Sequence, residues 1–226
     1  MTDIAILNHI LPIIEFEYES PSEIKFIKLS GTGFLLKPSY KLITAKHVLN
    51  TNTKQMALQI QYDRWAPVKF EIIKHHPNED ISVIDARPTV TDHPFLQASI
   101  KHHNSGGKYH LFGYPEDILF DREHNDQFGR RQQYPDLVYN SGYIRRRTNF
   151  TIPGLVGSAF FELSEVAGTG CSGAPIITQL GENWEVSGLY LGERTIENAN
   201  YPPRELAYAL RFDSIEGWLR ESGVFL

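Results

Sequence analysis

Short segments in which polar and apolar residues alternate make up most of this chain. Glu23 to Leu29 alternates in this way, and Lys41 to Thr44 and Val68 to Ile73 are further segments of strand-like composition. A period of two is typical of a β-strand with one buried face. At 226 residues, 41% of them hydrophobic, the chain is long enough to bury a core without disulfides. The pattern therefore predicts an all-β fold.

One connection divides these segments into two groups. Residues 88–107 are rich in Pro, His, Asn and Gly, so they predict a link between two β units, 24–100 and 108–212. Within the second unit, Asn140-Ser141-Gly142 predicts the turn of a hairpin. We expect residues 1–226 to form a single domain.

The end of the chain has a different pattern. Asp213-Ser214-Ile215-Glu216 fits a capping box, in which a residue that accepts hydrogen bonds at the helix N-cap is followed three positions later by Glu. Ile215, Trp218 and Leu219 then fall on one helical face. We expect a short C-terminal helix over 213–222, docked by that face.

The composition limits the compartment and the partners. The chain has 22 Lys and Arg against 27 Asp and Glu, a net charge of −5, so no nucleic-acid partner is expected. Its one cysteine, Cys171, excludes an intrachain disulfide and favours a reducing compartment. The N-terminal residues lack the basic region of a signal peptide, and no apolar run reaches the ~18 residues of a membrane helix. We therefore expect a cytoplasmic protein without a membrane partner.

One serine lies within a run of small residues, Gly170-Cys171-Ser172-Gly173-Ala174-Pro175. Serine is a weak nucleophile unless a base takes its proton, and the oxyanion that then forms needs fixed N–H donors. Glycines beside Ser172 let the backbone bend so that its N–H groups point into one small space. The run predicts a nucleophile, with the N–H groups of Gly170 and Ser172 as the oxyanion hole. A plain Gly/Ser turn before a strand is the alternative.

A histidine and an aspartate lie at the ends of apolar segments upstream of this serine. His47 follows Leu42-Ile43-Thr44-Ala45, and no other histidine of the chain follows such a segment at a turn of small residues. Asp80 precedes Ile81-Ser82-Val83-Ile84, and burying its carboxylate is costly unless a group such as an imidazole N–H donates to it. Either residue alone fits a structural role. The order and context of all three predict a catalytic triad of His47, Asp80 and Ser172.

These motifs resemble those of the trypsin/chymotrypsin-like serine peptidases, most closely the disulfide-free bacterial type. The resemblance spans residues 24–222 and rests on four runs: Gly31-Thr32-Gly33-Phe34, Thr44-Ala45-Lys46-His47, Asp80-Ile81-Ser82-Val83 and Gly170 to Pro175. It implies two antiparallel six-stranded β-barrels with the site in the cleft between them. It also implies that Ser172 forms an acyl-enzyme, that His47 is the general base and then the general acid, and that Asp80 orients His47.

The chain departs from the resemblance just before the serine. Digestive-type relatives carry an aspartate there, which pairs with a freed N-terminal amine on activation, whereas this chain has Cys171 and no comparable activation segment. The loop around Ser172 must then be ordered intrinsically, by the long exposed loop predicted at 116–136, or by an activating or regulatory protein partner. Cys171 is itself a poorer candidate nucleophile, because Gly-x-Ser-Gly places Ser172 in frame.

The resemblance also indicates where a substrate side chain binds. The walls of that pocket are the segment about six residues before the serine and the strand after it, which assigns substrate binding to Val166, Ala167, Leu191, Gly192 and Glu193. Val166 at the base favours a small or apolar side chain before the cut. Glu165 or Glu193 would instead attract a basic one.

Together these features predict a serine endopeptidase that hydrolyses protein or peptide substrates with no cofactor and no metal. Since an intracellular enzyme of this kind must be restrained, the resemblance favours a regulated role, such as a stress or defence effector. One alternative is a latent or non-catalytic binding module on the same fold, against which the intact triad argues. The other is an esterase for small acyl substrates, against which the missing Gly-x-Ser-x-Gly elbow argues.

Overall fold

The computed structural model of this chain describes residues 6, 8–20, 23–37, 39–61, 64–88, 96–118, 123–125, 131–133, 135–181, 184–198 and 200–225. Strands dominate these residues and form two large sheets and one small hairpin. Within the described ranges, no helix has the length and apolar character needed to cross a membrane.

The first sheet contains the strands that flank His47 and Asp80. Its strands are β1 (Ile10–Ser20), β2 (Glu23–Leu36), β3 (Lys41–Thr44), β4 (Gln55–Gln61), β5 (Arg64–Val68), β6 (Phe70–His75) and β7 (Ser82–Ala86). They pair antiparallel in the order β5-β4-β1-β2-β3-β7-β6. Only Lys69 separates β5 from β6. The two edge strands are therefore joined by the chain itself, and the sheet curls into what we call the first half-barrel.

The second sheet contains the strands that flank Ser172. Its strands are β8 (Leu96–Ala98), β9 (Lys108–Gly113), β12 (Val138–Asn149), β13 (Ala159–Leu163), β14 (Pro175–Gln179), β15 (Trp184–Asn198) and β16 (Tyr201–Arg211). Their order is β14-β9-β12-β13-β16-β15-β8, and β14 also pairs with β15, which closes the second half-barrel. The remaining two strands, β10 (Glu123–Asn125) and β11 (Arg131–Gln133), pair only with each other.

The predicted all-β architecture of two barrel-like units is confirmed, but each sheet has seven strands where six were expected. In the first half-barrel, one predicted strand near Val68 to Ile73 is divided into β5 and β6, which pair with different neighbours. In the second, the short β8 adds to β15 in parallel orientation, out of a segment that was predicted as a plain connection. Neither feature has a signature in the alternation of the sequence.

The hairpin predicted at Asn140-Ser141-Gly142 is wrong, because β12 runs through these residues without a turn. Its register with β9 is continuous from Val138 opposite Gly113 to Tyr143 opposite Lys108. Gly142 serves a close approach instead, since a Cβ there would meet the side chains of Ser164 and Glu165. A glycine inside a strand marks such an approach as often as a turn.

Apolar residues of both half-barrels share a core. Phe34 and Ile43 of the first half-barrel and Leu189 and Leu210 of the second belong to one buried cluster. Tyr114, which follows β9, is fully buried within it, and its hydroxyl donates to the carbonyl of Ile10 at 2.9 Å. The loops that carry the candidate site lie between the two half-barrels and are held by their packing.

The chain ends in a helix, α1 (Glu216–Glu221), after a 3-10 turn at Phe212–Ser214. Ile215 and Leu219 are buried, as expected for the apolar helical face predicted from the sequence. The predicted capping box does not form, because the helix N-cap is Ile215 and has no side-chain hydrogen bond. The carboxylate of Asp213 instead forms ion pairs with Arg147 and Arg211, and these outcompete the local capping contact.

Candidate active site

His47 and Asp80 come from two loops of the first half-barrel and bind each other. His47 lies in a 3-10 turn, Lys46–Val48, directly after β3, and Asp80 lies in the loop between β6 and β7. One carboxylate oxygen of Asp80 is 2.6 Å from Nδ1 of His47, and the other accepts the backbone N–H of His47 at 3.0 Å. The Asp80 side chain is 7% exposed, whereas that of His47 is 46% exposed. The carboxylate is therefore buried against a ring that still reaches solvent.

This contact fixes the ionisation of Asp80 and the tautomer of His47. Burial by itself raises the pKa of Asp80, but the hydrogen bonds and the charge of His47 outweigh it and hold that pKa below its ordinary value. Because an ionised carboxylate only accepts hydrogen bonds, Nδ1 of His47 carries the proton. Nε2 is then the basic nitrogen of the ring.

Ser172 lies in the loop between β13 and β14, which we call the nucleophile loop (residues 168–174). The loop reaches the first half-barrel next to His47, because the N–H of Thr32 in β2 donates to the carbonyl of Ser172 at 2.8 Å. A Cβ on Gly173 would meet the backbone N of Ala45 at 3.1 Å, two residues from His47. The structure thus brings the three predicted triad residues to one junction between the half-barrels.

The Ser172 hydroxyl is oriented toward a carbonyl and not toward the histidine. Its Oγ donates to the carbonyl of Leu191 in β15 at 3.1 Å. A hydroxyl has one proton to donate, so the O–H of Ser172 must turn away from Leu191 before it can give that proton to Nε2 of His47. Leu191 was predicted as a wall of the substrate pocket, but its role as the resting acceptor of Ser172 was missed.

The first part of the nucleophile loop turns its carbonyls away from Ser172. The carbonyl of Thr169 accepts the N–H of Glu116 at 2.7 Å, and the carbonyl of Gly170 accepts the hydroxyl of Thr32 at 2.9 Å. In a trans peptide the N–H points opposite to the carbonyl. The N–H of Gly170 therefore points away from Glu116. Gly170 has φ +95°, which favours glycine, and a Cβ there would also meet the backbone of Glu116 at 2.9 Å.

In the second part of the loop, too, a bound carbonyl fixes the direction of the N–H in the same peptide. The carbonyl of Cys171 accepts the N–H of Ala174 at 2.9 Å, which directs the N–H of Ser172 to the opposite side. The N–H of Gly173 donates to the backbone carbonyl of Tyr190 at 2.8 Å. Among the described residues, the N–H groups of Gly170 and Ser172 have no hydrogen-bond partner. These are the two donors predicted for an oxyanion hole.

Cys171 is buried beneath the nucleophile loop. Its thiol donates to the carbonyl of Ala167 at 3.2 Å, and burial raises its pKa to about 12. At neutral pH the side chain is a protonated thiol and not the thiolate that attacks electrophiles. Cys171 therefore behaves as a packed residue and cannot replace the charged aspartate of an activation ion pair.

Tyr190, which belongs to none of the sequence motifs, connects the predicted walls of the substrate pocket. Tyr190 is fully buried, and its hydroxyl accepts the N–H of Ala167 at 3.0 Å and donates to the carboxylate of Glu193 at 2.9 Å. Val166 and Ala167 pack against the cluster that contains the Tyr190 ring. Gly192 borders the nucleophile, since a Cβ there would lie 3.9 Å from Oγ of Ser172.

A second contact between the half-barrels lies beside Asp80. Glu79 is buried, and its carboxylate accepts the N–H of Ser158 at 3.2 Å and the hydroxyl of the same residue at 3.3 Å. Burial raises the pKa of Glu79, against the effect of these hydrogen bonds. The loop that carries Asp80 is therefore bound to the start of β13. The alternation of polar and apolar residues does not predict this contact, because Glu79 and Ser158 both lie in irregular segments.

Other predictions for the site meet the structure only in part. The predicted loop 116–136 contains a 3-10 turn at Glu116–Ile118 and the β10–β11 hairpin, while residues 119–122, 126–130 and 134 lie outside the described residues. Of this loop, the backbone of Glu116 contacts the nucleophile loop. In the part of the chain that the structure describes, no group of three His, Cys, Asp or Glu side chains is arranged to hold a metal ion.

Comparison with solved structures places this architecture among proteases. The active form of the Rv3671c protease from M. tuberculosis matches with a TM-score of 0.61 and 16% identity, over 99% of this chain and 86% of that one. Its inactive form gives a TM-score of 0.61 and 17% identity, over 97% and 91%. The MamO protease domain from Magnetospirillum magneticum matches with a TM-score of 0.62 and 10% identity, over 95% of this chain and 97% of that one. No family model and no curated protein matches the sequence. The chain has the trypsin-like serine protease fold.

Proposed function

We propose that this protein is a serine endopeptidase in which His47, Asp80 and Ser172 act as a catalytic triad. The observation that carries the proposal is the backbone of the nucleophile loop. Its carbonyls from residue 169 to residue 172 all accept hydrogen bonds from other groups, and the N–H groups of Gly170 and Ser172 are left to donate to a ligand. A turn that only connects two strands gains nothing from this arrangement, whereas a tetrahedral oxyanion requires it.

The proposed reaction follows from the protons of the site. The Ser172 hydroxyl turns from Leu191 to Nε2 of His47 and attacks the carbonyl carbon of the scissile peptide while His47 takes its proton. Asp80 stabilises the imidazolium through Nδ1. His47 then protonates the leaving amine, and the acyl-enzyme is hydrolysed by a water molecule that gives its proton to the same nitrogen.

Active-site labelling tests this proposal. The wild-type protein is expected to react with a fluorophosphonate at one equivalent per chain, with the adduct mapped to Ser172 by mass spectrometry. Ser172→Ala should not react, and Cys171→Ala, which removes only a protonated thiol, should react normally.

The other outcomes identify the alternatives. A folded wild-type protein that stays unlabelled would contradict the proposal and favour a binding module on this fold. Labelling together with hydrolysis of p-nitrophenyl acetate, but no cleavage of any protein or peptide in a diverse library, would instead identify an esterase.

We further propose that the residue before the cut is small. Ala167 packs against the cluster that contains the large Tyr190 ring, its N–H donates to the Tyr190 hydroxyl, and one carboxylate oxygen of Glu193 already accepts that hydroxyl. In a peptide series that differs only at that position, kcat/KM for alanine is expected to exceed kcat/KM for phenylalanine and arginine by about 10-fold or more, as a filled pocket excludes large side chains. A preference for arginine or phenylalanine would refute the small pocket and leave the triad proposal intact.

A further inference from the structure

One side chain of the first half-barrel holds the nucleophile loop of the second. Thr32 lies in β2 and is 0% exposed. Its hydroxyl donates to the carbonyl of Gly170 at 2.9 Å and accepts the N–H of Tyr114 at 3.1 Å. Its backbone N–H donates to the carbonyl of Ser172 at 2.8 Å. Thr32 thus binds the carbonyls of both residues whose N–H groups form the oxyanion hole.

The two Thr32 bonds hold the peptides that follow Gly170 and Ser172, and so restrain the φ and ψ rotations by which the N–H groups of these residues could turn. Glycine at φ +95° has neighbouring conformations of similar energy, in which the peptide on either side of Gly170 is rotated. A rotated Thr169–Gly170 peptide would place a carbonyl where the oxyanion must bind. The N–H of Glu116 holds the peptide before Gly170, and the Thr32 hydroxyl holds the peptide after it.

The one proton of the Thr32 hydroxyl is donated to the carbonyl of Gly170, and the side chain of Cys171 beneath the loop cannot take over its role. Cys171 is a protonated thiol that donates to Ala167, so it supplies no charge for an ion pair that would order the loop. The backbone of Thr32 is also held within the first half-barrel, because the hydroxyl of Thr44 donates to the carbonyl of Thr32 at 2.7 Å.

We propose that Thr32 is the positioning residue that orders the oxyanion hole, so that docking of the two half-barrels assembles the site without chain cleavage and without an activating protein. The inference rests on the proposed serine endopeptidase activity for its catalytic consequence. Its structural part concerns only the order of the nucleophile loop.

The test compares two losses of a buried hydroxyl. Thr32→Val removes the donor to Gly170 and keeps the shape of the side chain, and Thr32→Ser keeps the hydroxyl. Thr44→Val removes a neighbouring buried hydroxyl that donates to the carbonyl of Thr32 and makes no hydrogen bond to the nucleophile loop. Thr32→Val is expected to lower the fluorophosphonate labelling rate and kcat about 10- to 100-fold with KM unchanged, somewhat less than the loss of a direct oxyanion donor. Thr32→Ser should restore most of the rate, and Thr44→Val should stay within about threefold of wild type.

Hydrogen exchange gives a readout that does not depend on activity. Amides of residues 168–174 should exchange at least about 10-fold faster in Thr32→Val than in Thr44→Val, because local opening of the loop costs less free energy. Thr32→Ala serves the same comparison if the valine variant does not fold. Equal exchange in the Thr32 and Thr44 variants would overturn the proposal. A wild-type protein that fails to label would contradict the endopeptidase activity, while the exchange comparison would still decide the role of Thr32.

Discussion

Asp80→Asn is expected to lower kcat by about 10⁴-fold, the loss known for this replacement in a Ser-His-Asp triad. The geometry explains why. One oxygen of Asp80 accepts the backbone N–H of His47, so the oxygen of an asparagine must stay there and its NH₂ group must face Nδ1. Nδ1 would then have to accept a hydrogen bond, which moves the ring proton to Nε2. A protonated Nε2 cannot take the proton of Ser172.

Labelling rates and peptide hydrolysis at pH 7 would measure this loss. Asp85→Asn is the matched control, since Asp85 is also ion-paired, with Lys41, but lies in β7 away from the nucleophile loop. Its kcat should stay within about twofold of wild type, because a partly exposed ion pair contributes little. An Asp80→Asn enzyme that keeps more than a tenth of the wild-type kcat would exclude Asp80 as the orienting carboxylate.

The same variant should change how stability depends on pH. Because the pKa of Asp80 is lowered in the folded state, its ionised form stabilises the protein above the ordinary aspartate pKa of about 3.9. That contribution is lost as the pH falls through the lowered pKa. The difference in Tm between wild type and Asp80→Asn should therefore be constant near neutral pH and should become smaller below about pH 4.

Gly173→Ala is expected to destabilise the fold by about 3–5 kcal/mol, from backbone strain and overpacking together. Gly173 has φ +89°, and a Cβ there would collide with the carbonyl of Thr32 and the hydroxyl of Thr44. Neither atom can retreat, since the two are hydrogen-bonded to each other and fully buried. The collision lies at the junction of the half-barrels, so relief requires that they separate.

Urea unfolding followed by tryptophan fluorescence would measure the change. Gly181→Ala is the control, because a Cβ at Gly181 meets no atom within 4 Å, and its unfolding free energy should stay within about 0.5 kcal/mol of wild type. If Gly173→Ala lost less than about 1 kcal/mol, the close contact between the nucleophile loop and the first half-barrel would be wrong.

Much of the fold and of the site was predictable, because both depend on local patterns. Alternation identified the all-β class. The positions of His47, Asp80 and Ser172 next to strands identified residues that the structure brings to one junction. The catalytic roles of the triad, the oxyanion hole, the cytoplasmic location, the regulated role and the substrate-binding residues stay predictions.

What could not be predicted depends on partners distant in sequence. Thr32 was visible only as part of a glycine-containing motif, and nothing in that motif indicates the carbonyl to which its hydroxyl donates. In the sequence, nothing distinguished Tyr190 from the apolar strand residues around it, although its hydroxyl connects Ala167 to Glu193. Asp213 satisfied a local capping pattern but forms an ion pair with Arg147, 66 residues away in sequence, instead. Side-chain hydrogen bonds between residues far apart in sequence produce no periodic pattern from which they could be predicted.

The bond between Thr32 and Gly170 joins positions 138 residues apart. A ribosome supplies the chain from its N-terminus at about 5–20 residues per second, so β2 is made well before the nucleophile loop exists. If Thr32 orders the oxyanion hole as proposed, the N–H groups of Gly170 and Ser172 gain their orientation only after β14 and β15 have been synthesised and the half-barrels have docked. Under the proposed function, the nascent polypeptide therefore cannot cleave a peptide bond before β15 has been synthesised and docked.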